Sequence, residues 1–124
     1  IWYNLIEGST TSTAAIRKPL TNSPVTDVTS NDIRCNVNPT PATETATVAA
    51  GSTIGFQLDN TIYHLGPAAI YLGKAPSTAA SWDGSGANWF KIAEWGATFN
   101  PFSFSDLNAS QLTTTIPANT PPGE

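Results

Sequence analysis

The sequence predicts an all-β chain, an antiparallel β-sandwich formed as one domain over residues 1–124. Three observations lead there. Six or so short apolar or alternating segments recur along the chain, each bounded by glycine, proline or a cluster of serine and threonine, as strands joined by turns are. No stretch sustains the helical apolar period of about 3.6 residues. The 18 Thr, 11 Ser, 10 Pro and 9 Gly favour strands and turns over helices.

The elements follow in order. Residues 1–6, Ile-Trp-Tyr-Asn-Leu-Ile, are an apolar run, and residues 9–13, Ser-Thr-Thr-Ser-Thr, read as a polar loop. Residues 19–24 are irregular around Asn22-Ser23-Pro24. A short apolar alternation over residues 33–37 surrounds Cys35 and stops at Asn38-Pro39-Thr40-Pro41, whose prolines cannot join a ladder. Residues 45–50 alternate Thr45, Thr47 and Ala49 with Ala46, Val48 and Ala50, and Gly51-Ser52 turns them into 53–58. There Ile54, Phe56 and Leu58 share one face, so the two segments read as a hairpin. Residues 68–72, Ala-Ala-Ile-Tyr-Leu, form an apolar run too short for a helix. Residues 89–94 and 112–116 complete the set, separated by a Ser/Gly loop at 81–87 and a Phe-rich loop at 99–105. The expected core is Ile54, Phe56, Leu58, Ile70, Leu72, Phe90 and Ile92, with Trp89 buried beside Phe90.

Composition narrows the function classes. Charged residues are 11% of the chain and the net charge is -4. The five basic residues, Arg17, Lys18, Arg34, Lys74 and Lys91, are scattered. Nucleic-acid binding needs a clustered basic face and is disfavoured. No apolar run approaches the roughly 20 residues of a membrane-spanning helix. The start has no Met and no basic-then-apolar leader, and Pro121-Pro122-Gly123-Glu124 is turn-like. We therefore expect residues removed upstream and a chain that continues downstream. With little Lys, one Cys and an Asn108-Ala109-Ser110 sequon, the sequence reads as a secreted protein whose Asn108 is exposed and able to carry a glycan, the alternative being an unused surface sequon.

Few residues offer chemistry. His64 is the single histidine, in the turn Tyr63-His64-Leu65-Gly66-Pro67. The bland reading is a solvated loop residue. A metal would need two or more further donors, and no second His and no nearby Cys supplies them. Cys35 reads as half of a disulfide rather than a nucleophile, since no base or cationic neighbour is evident. A lone Cys in a secreted chain points to a partner outside these residues or to a free reactive thiol. The carboxylates are too scattered to nominate a glycosidase pair. Asp27 and Asp32 flank a Thr/Ser turn as its caps. Of Trp2, Trp82, Trp89 and Trp95, one or two exposed on a face would suit sugar stacking, although core packing is the commoner use.

Five stretches taken together carry a resemblance: Asn22-Ser23-Pro24-Val25-Thr26-Asp27-Val28-Thr29-Ser30, Asp32-Ile33-Arg34-Cys35-Asn36, Tyr63-His64-Leu65-Gly66-Pro67, Trp89-Phe90-Lys91-Ile92-Ala93-Glu94, and Thr115-Ile116-Pro117 with Pro122-Gly123-Glu124. In order and spacing, from about residue 16 to the last, they resemble the fungal lytic polysaccharide monooxygenases of auxiliary activity family nine, once classed as family 61 glycoside hydrolases.

The resemblance implies an immunoglobulin-like sandwich with long loops. It further implies a secreted copper enzyme that oxidatively cleaves cellulose or a related β-glucan, served by an external electron donor with oxygen or peroxide. In that family a histidine brace holds copper through the amino group and imidazole of an N-terminal His, a second imidazole and an axial Tyr. His64 matches the second imidazole. This chain opens Ile1-Trp2-Tyr3-Asn4-Leu5, similar to the family's first strand entered a residue or two late. The family continues past Pro-Gly-Glu to the axial Tyr and to the Cys that pairs with the counterpart of Cys35. The expectation is thus part of a longer catalytic domain that holds one copper ligand of the set, binds copper weakly or not at all alone, and has the partner of Cys35 beyond Glu124. The alternative class is a non-catalytic polysaccharide-binding or self-associating module, using strand edges left exposed.

Overall fold

The computed structural model describes residues 1–124. The first apolar run forms β1 (Trp2–Glu7), which turns through Gly8-Ser9 into β2 (Thr10–Ser12). Glu7 pairs with Thr10 and Leu5 with Ser12. The stretch expected to be a loop is therefore partly a strand. Thr10 and Thr11 carry no apolar signal, yet β-branched threonine suits an edge strand once a partner is beside it.

β1 also pairs with β3 (Thr53–Leu58), and β3 pairs on its other side with β8 (Gln111–Thr115), giving the sheet order β2-β1-β3-β8. Phe56 stands between Leu5 and Leu112, and Gly55 between Ile6 and Thr113. A Cβ on Gly55 would lie 2.3 Å from the Leu112 carbonyl oxygen, so the strands can close only because residue 55 has no side chain. This topology overturns the expected hairpin of 45–50 with 53–58. Both edges of β3 are already hydrogen-bonded, so residues 45–49 run without a ladder. They keep their alternation, with Ala46 and Val48 half-buried and Thr45, Thr47 and Ala49 exposed.

The second layer is the antiparallel pair β4 (Ala68–Gly73) and β5 (Trp89–Trp95), with an irregularity between Ile70 and Tyr71. Their long connection is organised by Trp82 stacked on Trp89, ring centroids 4.9 Å apart. The two indole N–H groups donate to the carbonyls of Ser85 and Gly84. Gly73 lies under this stack, where a Cβ would come within 2.7 Å of the Trp89 ring. The Phe-rich loop is in part a small hairpin of β6 (Ala97–Thr98) with β7 (Ser103–Phe104).

The alternation over 33–37 is not a strand. Asp32–Cys35 form the short helix α1, closed by the Asn36 N–H donating to the Asp32 carbonyl at 2.7 Å. Asp27 caps the preceding turn as expected, its Oδ1 accepting from the Thr29 N–H and hydroxyl. Asp32 instead occupies the first turn of α1. The capped turn winds the chain before the apolar pair Ile33 and Cys35 can select an extended state.

The core is thinner than expected. Leu5, Ile6, Ile16, Ile70, Ala75, Leu112 and Ile116 are buried. Ile54, Phe56, Leu58, Leu72 and Ile92 are half-buried, as are all four tryptophans, Trp89 included. No Trp stands exposed for sugar stacking. Phe90 shares a face with its partner Leu72 but is 47% exposed. The total accessible surface is 7999 Å², against roughly 6,300 Å² for a compact monomer of this mass. Much apolar side-chain surface stays open.

Candidate functional site

β1 starts, β3 ends and β8 starts at one end of the four-stranded sheet. There Trp2 lies opposite Leu58 and Gln57 opposite Gln111. The Asp59 N–H donates to the Ile1 carbonyl at 3.1 Å. Beyond Leu58 the chain does not leave the sheet at once. The Leu58 N–H donates to the Ser110 carbonyl, the Ile62 N–H to the Ala109 carbonyl and the Asn108 N–H to the Ile62 carbonyl, at 2.9, 2.9 and 2.8 Å. The loop that carries His64 is thereby fastened, two residues before the histidine, to the turn that carries Asn108.

His64 is exposed and its imidazole packs on the Tyr63 ring, centroids 4.3 Å apart. Tyr63 is 70% and Leu65 60% exposed. The result is a small aromatic and apolar surface around one imidazole. No group of three or more His, Cys, Asp and Glu side chains gathers in the fold to hold a metal. A single monodentate imidazole does not fit a copper centre, which needs several donors at once.

Asn108 is exposed at the tip of its turn, with φ 67. Beneath it Asp106 is 2% exposed and its Oδ1 has no hydrogen-bond partner, while its main-chain carbonyl accepts from the Ala109 N–H at 3.0 Å. Sequence reasoning missed Asp106. Its one signal was a lone carboxylate at the start of a turn.

Cys35 lies far from this end in the chain's connectivity, on α1 and half-buried. It lines a cavity of about 300 Å³ with Arg17, Asp32, Asn36, Trp82 and Asp83. The expectation of no cationic neighbour fails here. Arg17 Nη1 is 3.7 Å from Cys35 Sγ, and Nη2 donates to the carbonyls of Ala79 and Trp82. Arg17 is 18 residues from Cys35 in sequence, so no local pattern announced it. The structure thus brings Asn108 close to the His64 loop and leaves Cys35 apart.

These features define an immunoglobulin-like antiparallel β-sandwich that presents a loop histidine at one sheet end. The same fold is seen in the crystal structure of a cellulose-active polysaccharide monooxygenase from M. thermophila, with a TM-score of 0.77 and 24% identity over 98% of this chain and 64% of that one. Residues 2–124 match Auxiliary Activity family 9, formerly GH61, and the chain belongs to that family. It is 48% identical over 108 residues to AA9 family lytic polysaccharide monooxygenase H of Malbranchea cinnamomea, covering 83% of this chain and 47% of the relative. It is 55% identical over 80 residues to the E enzyme of Podospora anserina, covering 63% and 27%. The chain thus spans less than half the length of these two relatives. None of its helices is long and apolar enough to cross a membrane.

Proposed function

We propose that this chain is one β-sandwich domain's share of a secreted, copper-dependent lytic polysaccharide monooxygenase that cleaves cellulose or a related β-glucan oxidatively. The observation that carries the reading is the family match over residues 2–124 together with an exposed His64 at the sheet end where β1 begins. His64 is taken as the second imidazole of the copper site. The remaining donors are assigned to residues outside these 124, because His64 is the one histidine here and the family's site takes an N-terminal His and an axial Tyr besides. When bound, copper would supply the redox chemistry, with electrons from an external donor. The residues present would contribute one imidazole, oriented by its packing on Tyr63. Cys35 is assigned a disulfide partner outside the same residues. The alternative of a polysaccharide-binding or self-associating module has no observation of its own in its favour.

Copper titration and analysis of cellulose digests test this on two forms, the 124-residue chain and a chain extended to the length of its relatives. The short form is expected to bind copper weakly and release no oxidised oligosaccharides. The extended form is expected to do both and to lose both with His64→Ala. Stoichiometric tight copper in the short form, or an extended form indifferent to His64→Ala, overturns the ligand assignment.

A further inference from the structure

We propose that Asn108 carries an N-linked glycan and that this glycan borders and shields one side of the His64 surface. The proposal rests on the reading above in one respect, that the protein is secreted through a glycosylating pathway. The sequon Asn108-Ala109-Ser110 sits in a turn between β7 and β8, with Asn108 and Ser110 both exposed. In the transfer, Asn108 Nδ2 bonds to the anomeric carbon of an oligosaccharide activated as a polyisoprenyl diphosphate. The bond from that carbon to the diphosphate oxygen breaks, the diphosphate leaves with the electron pair, and Nδ2 gives up one proton.

The turn has a fixed relation to His64. Asn108 and Ala109 exchange main-chain hydrogen bonds with Ile62, at 2.8 and 2.9 Å. A ladder-like pairing sets Cα atoms about 5.5 Å apart, and two residues of chain span at most about 7 Å, so His64 lies within roughly 12 Å of Asn108 along the backbone. A branched oligosaccharide of several sugar rings reaches further than that. Its base is held by two main-chain hydrogen bonds between the two connections, so it stays beside the loop. The surface it would overhang includes the exposed Tyr63 and Leu65 rather than open polar ground.

The test uses protein secreted from a yeast, the same protein after enzymatic deglycosylation, and the variants Asn108→Gln and Ser110→Ala. Ser110→Ala removes the sequon without disturbing the left-handed Asn108. Peptide mass analysis is expected to find hexosamine-based glycan on Asn108. After copper is stripped with a chelator, carbethoxylation by diethyl pyrocarbonate is followed by mass analysis on the peptide that carries His64, the one histidine of these 124 residues. The reaction is expected to be several-fold slower in the glycosylated form than in the deglycosylated protein and Ser110→Ala. An unmodified Asn108 in the secreted protein overturns the site. An occupied site with equal His64 rates overturns the shielding. With the metal removed beforehand, neither readout depends on copper or cellulose, so failure of the proposed enzyme activity would register separately.

Discussion

The Arg17 guanidinium lies 3.7 Å from the Cys35 sulfur and spans from it to the carbonyls of Ala79 and Trp82. One cation therefore ties the segment before α1, α1 itself and the long β4–β5 connection together. Arg17→Ala leaves two carbonyls without their charged donor, and charged hydrogen bonds of this kind contribute about 1.5–3 kcal/mol. Urea unfolding is expected to show a loss of that size. A midpoint unchanged from the parent would show that the arrangement carries no stability.

Cys35 itself is expected to be free in the 124-residue chain and disulfide-bonded in a chain extended to the length of its relatives. Quantitative thiol labelling of both forms, unreduced, checks this. Fast labelling in the extended form counts against the assignment.

Gly55 is the position least able to accept a side chain. A Cβ there meets Leu112 O at 2.3 Å and Thr113 atoms at 2.7 and 2.8 Å, and the backbone atoms among them cannot swing aside. Gly55→Ala is expected to cost about 1–3 kcal/mol or more through forced separation of β3 and β8. Gly66→Ala, with open space around the added carbon, serves as the control.

The corrected core makes its own demand. Leu112→Ala, at a buried position between β3 and the second layer, is expected to cost about 2–5 kcal/mol. Phe90→Ala should cost clearly less, since the ring is half in solvent. Equal losses in thermal or urea unfolding would return Phe90 to the core.

Acid should weaken the turns before it weakens the sheets. The Thr29 hydroxyl and N–H hold the Asp27 carboxyl below its ordinary value of 3.8, and the Ser85 side chain and N–H do the same for Asp83. A carboxylate lowered on folding contributes stability that is present above the ordinary value and lost as pH falls through the lower folded value. Unfolding midpoints compared at about pH 6 and about pH 2.5 should therefore fall less in Asp27→Asn/Asp83→Asn than in the parent. An identical acid loss in both would remove these turns from the account.

The strands at 53–58, 68–72, 89–94 and 112–116 were legible from the sequence because their alternation and bounding Gly and Pro residues are local facts that any β fold must respect. The family was legible too, since motifs such as Tyr63-His64-Leu65-Gly66-Pro67 are contiguous. Thr10–Ser12 became a strand only because β1 offered an edge. Residues 45–50 lost theirs because β1 and β8 occupied both sides of β3. Pairing is a competition between segments far apart in sequence, and alternation alone does not name the winner.

The site divides the same way. Sequence alone determined that His64 is a lone imidazole, that Asn108 opens a sequon and that Cys35 lacks a partner within the chain. Only the tertiary structure decided that Asn108 is fastened to the His64 loop through Ile62, that Arg17 reaches Cys35, and that Asp106 is buried with an unsatisfied oxygen. Side-chain type is a property of one position. Proximity is set by which strands share a sheet end, and that follows from the register of β1, β3 and β8, which closes only when the whole sheet is assembled.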